Sequence, residues 1–315
     1  MDYTPIRIST IKPNKVVNFD LFIFFKEQYL KYKESGFCLE DQHLEKLKRQ
    51  QIARFYITQE DEPSYQSFLD ELLDEALMQD SVPLEEKVNL TEGTASTAIE
   101  QMGKYPASPT AYKMAQKAAK NLRLLVTENP NALKQIFKTR AAESEIIVRH
   151  SLSVSALCTR MGLNYNMSDE DLDNLAIAAL LHDIEIGNQN PEEIALFMKG
   201  ESELAGEEKA TYHTHPALAV GILEKNEFVN KQILDLILSH EEKLQGAGYP
   251  NKKTKLSLQE EILSLVNCFD KKVTVFGESP KAAMKKIQVD ELGNYSQELI
   301  NKFKQILKDD GLLDL

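Results

Sequence analysis

The stretch Leu175-Ala-Ile-Ala-Ala-Leu-Leu-His-Asp183 decides how this chain is read. An unbroken apolar run rich in alanine and leucine predicts a buried helix. The imidazole and carboxylate at its end form a metal-ligand pair, since Asp can bridge two ions while His anchors one. Histidine is scarce, six in 315 residues, and four of the six fall on predicted helices with inward apolar faces.

On the first of these helices, Ala142 to Met161, His150 shares a face with Ile146, Val154 and Leu157. His182-Asp183 closes the second. His215-Pro216 opens the third, where proline suits the first helical position. On the fourth, Ile233, Leu236, Ile237 and His240 form one stripe, with Glu241 next in sequence. Each imidazole alone would need its own buried partner, whereas a shared metal centre satisfies them together.

Working outward, strong helix formers dominate beyond residue 65, which predicts a mainly α protein. Residues 1–78 read as a small α/β domain. Ile6 to Ile11 alternates, Phe19 to Phe25 is aromatic and β-prone, and Glu27 to Tyr32 supplies a partner strand. A helix over Leu39 to Gln51 and a strand over Ala53 to Ile57 follow, with His43 at the surface or boundary. Residues 79–109 read as a linker with a helix inside it, and residues 110–315 as a helical domain. Its breaks fall at Asn129-Pro-Asn131, Gly162 to Asn166, Gly187 to Pro191, Gly246 to Pro250 and Gly277 to Pro280.

A net charge of -12 argues against a nucleic-acid polymer or an anionic membrane as partner, and a small anionic ligand would need local cations or metals. Cys38, Cys158 and Cys268 form no CxxC pair and read as reduced thiols. With no signal pattern and no apolar run long enough to span a bilayer, a cytoplasmic location is expected.

In order, Val148-Arg-His150-Ser, Leu181-His182-Asp183-Ile, His215-Pro216 and His240-Glu-Glu-Lys-Leu-Gln-Gly246-Ala-Gly248-Tyr249-Pro250 resemble the HD-GYP family of the HD-domain superfamily. The resemblance covers residues 125 to 275 or so. It implies an HD-domain helical bundle behind a regulatory-type N-terminal domain, and a phosphodiesterase activity on cyclic di-GMP. It also implies two divalent transition-metal ions, iron first, with manganese or zinc as alternatives. One ion would be held by His150, His182, Asp183 and Asn267, the other by Asp183 as bridge, His215, His240 and Glu241. Two ions about 3.5 to 4 Å apart bind phosphodiester oxygens and activate a water, with His182 and Asp183 at the reacting centre.

The chain departs from the family pattern at several points. Glu241 stands where a second histidine is usual, and Asn267 where an Asp is usual. Loss of one carboxylate at Asn267 is matched by a gain at Glu241, but the ion beside Asn267 should bind less tightly. After His-Asp, Ile184-Glu185-Ile186-Gly187 offers Glu instead of the usual Lys, Gln245 replaces an Asp, and the Arg-Pro-Tyr segment beyond Phe269-Asp270 has no counterpart. Asp270 is a fallback ligand one helical turn beyond Asn267. Lys243, Lys252, Lys253 and Lys255 surround Tyr249 in sequence. Lys243, Tyr249 and Lys252 are the expected substrate contacts, and the Gly-Tyr-Pro loop is also a candidate surface for a signalling-protein partner. The competing reading is a degenerate cyclic-dinucleotide receptor or adaptor that binds without turnover.

Overall fold

Six short strands form near the N-terminus: β1 (Tyr3–Arg7), β2 (Val16–Val17), β3 (Leu21–Phe25), β4 (Gln28–Lys33), β5 (Phe37–Cys38) and β6 (Arg54–Thr58); the alternating stretch Ile6 to Ile11 is strand only to Arg7 and turns as a 3-10 helix over Ile8–Thr10. The computed structural model describes residues 3–50, 52, 54–79, 81–138, 146–187 and 191–315. Four strands form an antiparallel sheet in the order β1-β6-β3-β4, with Ile6 opposite Phe55 and Ile23 opposite Leu30. β2 and β5 form a separate pair. The last strand begins at Arg54; the predicted first residue, Ala53, lies outside the described residues.

Two helices complete this region, α1 (Asp41–Arg49) and α2 (Glu62–Met78). Ile6, Val17, Phe19, Phe55 and Ile57 share one apolar core with Tyr65, Phe68, Leu69 and Leu72 of α2. The buried Tyr65 hydroxyl is satisfied by Thr10 Oγ1 at 2.8 Å, so the ring is buried without stranding its polar tip.

Contacts divide the chain into two compact units, Met1–Thr97 and Ala98–Leu315. The boundary falls within α3 (Leu84–Lys104), in the stretch read from sequence as a linker.

The second unit is helical throughout: α4 (Pro109–Glu128), α5 (Ala132–Lys138), α6 (Ile146–Asn164), α7 (Asp169–Leu181), α8 (Ile184–Gly187), α9 (Pro191–Phe197), α10 (Glu207–Tyr212), α11 (His215–Leu223), α12 (Lys231–Leu238), α13 (Leu258–Asp270), α14 (Pro280–Asp290) and α15 (Gln297–Asp309). Local chemistry sets many of the starts. Ser108, Ser168, Asn230, Ser257 and Ser279 each accept a backbone N–H in the first turn of α4, α7, α12, α13 and α14. Ser257 and Glu260 form a reciprocal capping box.

The centre of the bundle is α6 against α7, with α4, α12 and α13 around them. Every residue from Leu175 to Leu181 is buried, and the Ser155 hydroxyl donates to the Ala176 carbonyl at 2.8 Å. The break predicted from Gly162 falls later, because α6 continues to Asn164. Gly162 serves packing instead: a Cβ there would sit 2.5 Å from Leu172 Cδ2. The turn is made by Asn166 at φ +51°, a conformation asparagine tolerates. Ala142 to Glu145 of the predicted first helix, and Asn188 to Asn190 of one predicted break, lie outside the described residues.

No helix among the described residues is long and apolar enough to cross a membrane. Leu157 is fully buried on α6. Leu157→Ala is expected to cost about 2–5 kcal/mol, read as a lowered midpoint in urea unfolding.

Candidate metal centre

Three of the four inward histidines sit where helix ends leave carbonyl oxygens without intrahelical partners. His182 follows the last residue of α7 and its Nδ1 donates to Ala179 O at 2.7 Å. His215 follows α10 by three residues and its Nδ1 donates to Tyr212 O at 2.6 Å. His240, just beyond α12, donates from Nδ1 to Ile237 O at 2.6 Å. His150 lies inside α6, where the helix itself engages the carbonyls, and its Nδ1 donates instead to Asp270 Oδ2 of α13 at 2.7 Å.

A carbonyl or carboxylate oxygen only accepts, so each Nδ1 carries the proton and each Nε2 of the neutral ring presents a lone pair. Those lone pairs converge. His150 and His182 Nε2 are 3.2 Å apart, and His215 and His240 Nε2 are 2.8 Å apart. Asp183 lies between the two pairs. Its Oδ2 is 3.2 Å from His182 Nε2 and 3.6 Å from His150 Nε2, while Oδ1 is 3.6 Å from His215 Nε2 and 3.5 Å from His240 Nε2. All five residues are buried.

Asn267 extends the pattern. Its Nδ2 donates to Glu241 Oε1 at 3.2 Å and faces His240 O, which fixes the amide orientation and leaves Oδ1 2.9 Å from His150 Nε2. Oδ1 and that nitrogen are both acceptors. The buried Asp183 Oδ1 also has no hydrogen-bond donor among the described residues. Acceptors crowding acceptors require a cation or added protons between them, and two groups of this set can hold an ion: His150, His182 and Asp183, and Asp183, His215 and His240.

The electrostatics agree. Burial opposes ionisation of Asp183, yet positive charge on His182 and His240, the alternative to a cation held between the groups, outweighs it and holds the carboxyl well below its ordinary value. Burial likewise disfavours a charged His182, but Asp183 beside it raises its pKa, so the field at that nitrogen attracts positive charge. His215 is held well below the usual imidazole value by burial and by His240, which keeps its Nε2 unprotonated.

Asp270, the sequence-level fallback ligand, engages the opposite nitrogen of the His150 ring and orients it. Lys243 turns to Glu291, its ammonium donating to Oε2 at 2.8 Å, and this pairing and other nearby negative charge raise its pKa despite burial. Lys253 is held by Ser239 and Glu260 at 2.8 and 2.5 Å, while Lys252 and Lys255 are exposed. Tyr249 is buried, stacked on His213 with ring centroids 3.7 Å apart.

Sequence reasoning passed over His213, Glu242 and Lys271. The fully buried Glu242 accepts Asn251 N at 2.5 Å and Lys253 N at 2.8 Å, closing the Gly-Tyr-Pro loop. Its position inside the His240 motif is the one signal that could have singled it out. His213 lay in plain sight two residues before His215. Lys271 directly follows Asp270, and nothing in its local sequence points to the centre.

Fold and cluster together define a helical protein built around a buried centre of four histidines and one aspartate. A profile of the HD domain matches residues 125–297, more than half of the chain, and the chain belongs to that family, with the motif order of its HD-GYP members. Cyclic di-GMP phosphodiesterase PA4108 of Pseudomonas aeruginosa is 28% identical over 141 residues, which is 45% of this chain and 32% of that protein. The match therefore spans about a third of that relative's length. The fold is also that of Bd1817, a HDG"Y"P protein from Bdellovibrio bacteriovorus, with a TM-score of 0.78 at 22% identity, covering 98% of this chain and all of that one.

Gly248 shows how tightly the loop closes on the motif. A Cβ there would lie 2.3 to 2.5 Å from backbone atoms of Glu241, Glu242 and Lys243. Gly248→Ala is expected to cost about 1–3 kcal/mol and to speed amide hydrogen exchange across residues 241–253, measured by mass spectrometry.

Proposed function

We propose that this chain is a metal-dependent phosphodiesterase of HD-GYP type, acting on cyclic di-GMP. The observation that carries the reading is the division of four Nε2 lone pairs into two facing pairs, each directed at a different oxygen of Asp183. His150, His182 and Asn267 would hold one ion, His215, His240 and Glu241 the other, with Asp183 shared between them. When bound, such ions supply Lewis-acid charge at a phosphodiester and make water nucleophilic near neutral pH.

The chain's own residues prepare that chemistry. Asp183 stays ionised in a buried site and brings negative charge between the two histidine pairs. The Nδ1–H bonds fix ring orientation before anything binds, which limits reorganisation. Glu241 is aligned by the Asn267 amide. Iron suits the mixed nitrogen and oxygen donors, with manganese and zinc as alternatives.

Binding without turnover is the second reading, and the neutral Asn267 oxygen beside His150 favours it because an amide holds a cation less firmly than a carboxylate. Metal analysis of untreated protein together with a turnover assay separates the two. The enzyme reading expects close to two transition-metal ions per chain and linear product from cyclic di-GMP; retained metal with no product selects the receptor.

Asp183→Ala should remove both metal and turnover, and undiminished metal content in that variant would refute the bridging role. Asp270→Asn should weaken metal binding by about 10- to 100-fold in a chelator competition, because the His150 ring loses the carboxylate that orients it.

A further inference from the structure

The departures from the family pattern remove the expected Lys and Arg around a site meant for an anion. The fold returns one cation from an unexpected place. Lys271 follows α13 directly and opens a π-helical turn, Lys271–Val275, closed by Phe276 N donating to Lys271 O at 3.1 Å. Such turns change the direction in which side chains leave a helix and are frequent at functional sites.

The Lys271 ammonium lies 4.3 Å from the centroid of the Tyr212 ring and 4.9 Å from that of Phe197, and it donates to the Tyr212 hydroxyl. Those rings reach opposite ends of the centre. Phe197 is 5.6 Å from the His150 ring, and Tyr212 is 4.6 Å from the His215 ring. Two aromatic faces attract a cation without neutralising it. None of the described carboxylates forms an ion pair with Lys271, although Glu241 and Asp183 are close enough to act on it through space. Burial pulls its pKa below the ordinary lysine value, and the more distant negative charges only partly oppose that.

We propose that Lys271 is the substrate-binding cation of this site, its ammonium pairing with a non-bridging oxygen of the phosphodiester held at the His/Asp centre. This rests on the phosphodiesterase reading above and names the residue that replaces the missing basic side chains. Tyr212 and Phe197 position the ammonium, and an arriving phosphate oxygen supplies the anionic partner it lacks.

The test uses full-length, metal-loaded protein with Lys271→Met, which keeps the stem between the rings, and Lys271→Arg, which keeps the charge. Isothermal titration with cyclic di-GMP should show affinity about 10- to 100-fold weaker for Lys271→Met and within a few-fold of wild type for Lys271→Arg, with metal content unchanged in both. The salt dependence of binding should also flatten in Lys271→Met. Should the methionine variant fail to fold, Tyr212→Phe removes the hydroxyl that holds the ammonium and should weaken binding with normal metal content.

Cyclic di-GMP bound equally well by Lys271→Met overturns the assignment and leaves the phosphodiesterase reading standing. So does a loss of binding in proportion to a loss of metal, which marks a structural role. Wild-type protein that ignores cyclic di-GMP but binds inorganic phosphate through Lys271 retains the oxyanion site and overturns the cyclic-dinucleotide reading. Binding of neither probe by wild type overturns both.

Discussion

Each of the four buried imidazoles has one nitrogen committed to an acceptor, and the geometry of the centre follows from that constraint. His182, His215 and His240 reach the backbone carbonyl three residues earlier, available because each stands at or beyond a helix end. Their ring planes are thus set by local chain geometry. His150 has no such carbonyl within α6 and depends on Asp270, 120 residues away. The docking of α13 on α6 is therefore the long-range contact that completes the set, and it also brings Asn267 to the other nitrogen of the same ring.

The Gly-Tyr-Pro loop is tied to the same arrangement. Tyr249 N donates to Glu241 O at 3.2 Å, and the space at Gly248 admits no side chain. Glu242, one residue beyond Glu241, anchors the far side of the loop by accepting from Asn251 N and Lys253 N. The loop is thus a brace on the segment that carries His240 and Glu241. Tyr249, stacked on His213, closes a small apolar cluster with Phe197 and Tyr212, which ties the loop to the rings that hold Lys271.

Much of this was legible from one dimension, for physical reasons that differ by element. The strand near Phe22 announces itself by an aromatic, β-prone run and α7 by an apolar run that ends at His182-Asp183, whereas the alternation of Ile6 to Ile11 runs past its strand, because the chain turns as a 3-10 helix over Ile8–Thr10. His150, His182, Asp183, His215 and His240 could be grouped because helical spacing fixes faces. The end of α6 was misread because glycine carries two meanings, a turn or a close helix contact, and Leu172 selects the second. Lys243 resembled a substrate contact from its place beside the motif, but sequence adjacency does not report direction, and Glu291 draws it elsewhere. Lys271 was invisible for the complementary reason: its partners, Phe197 and Tyr212, are 74 and 59 residues away.

Glu241 and Asn267 are best understood as one joint change. The Asn267 amide donates to the Glu241 carboxylate at 3.2 Å, so a carboxylate at position 267 would face a second one at that distance. Two carboxylates so close in a half-buried site oppose each other's ionisation, and a cation or a proton between them is needed to relieve the repulsion. An amide removes the conflict while its oxygen still reaches the His150 side. Lys271 feels Glu241 more strongly than any other charged group. Of the two groups that can hold an ion, the one with His150 and His182 has the neutral Asn267 oxygen beside it. On that side the Asp270 carboxylate orients the His150 ring.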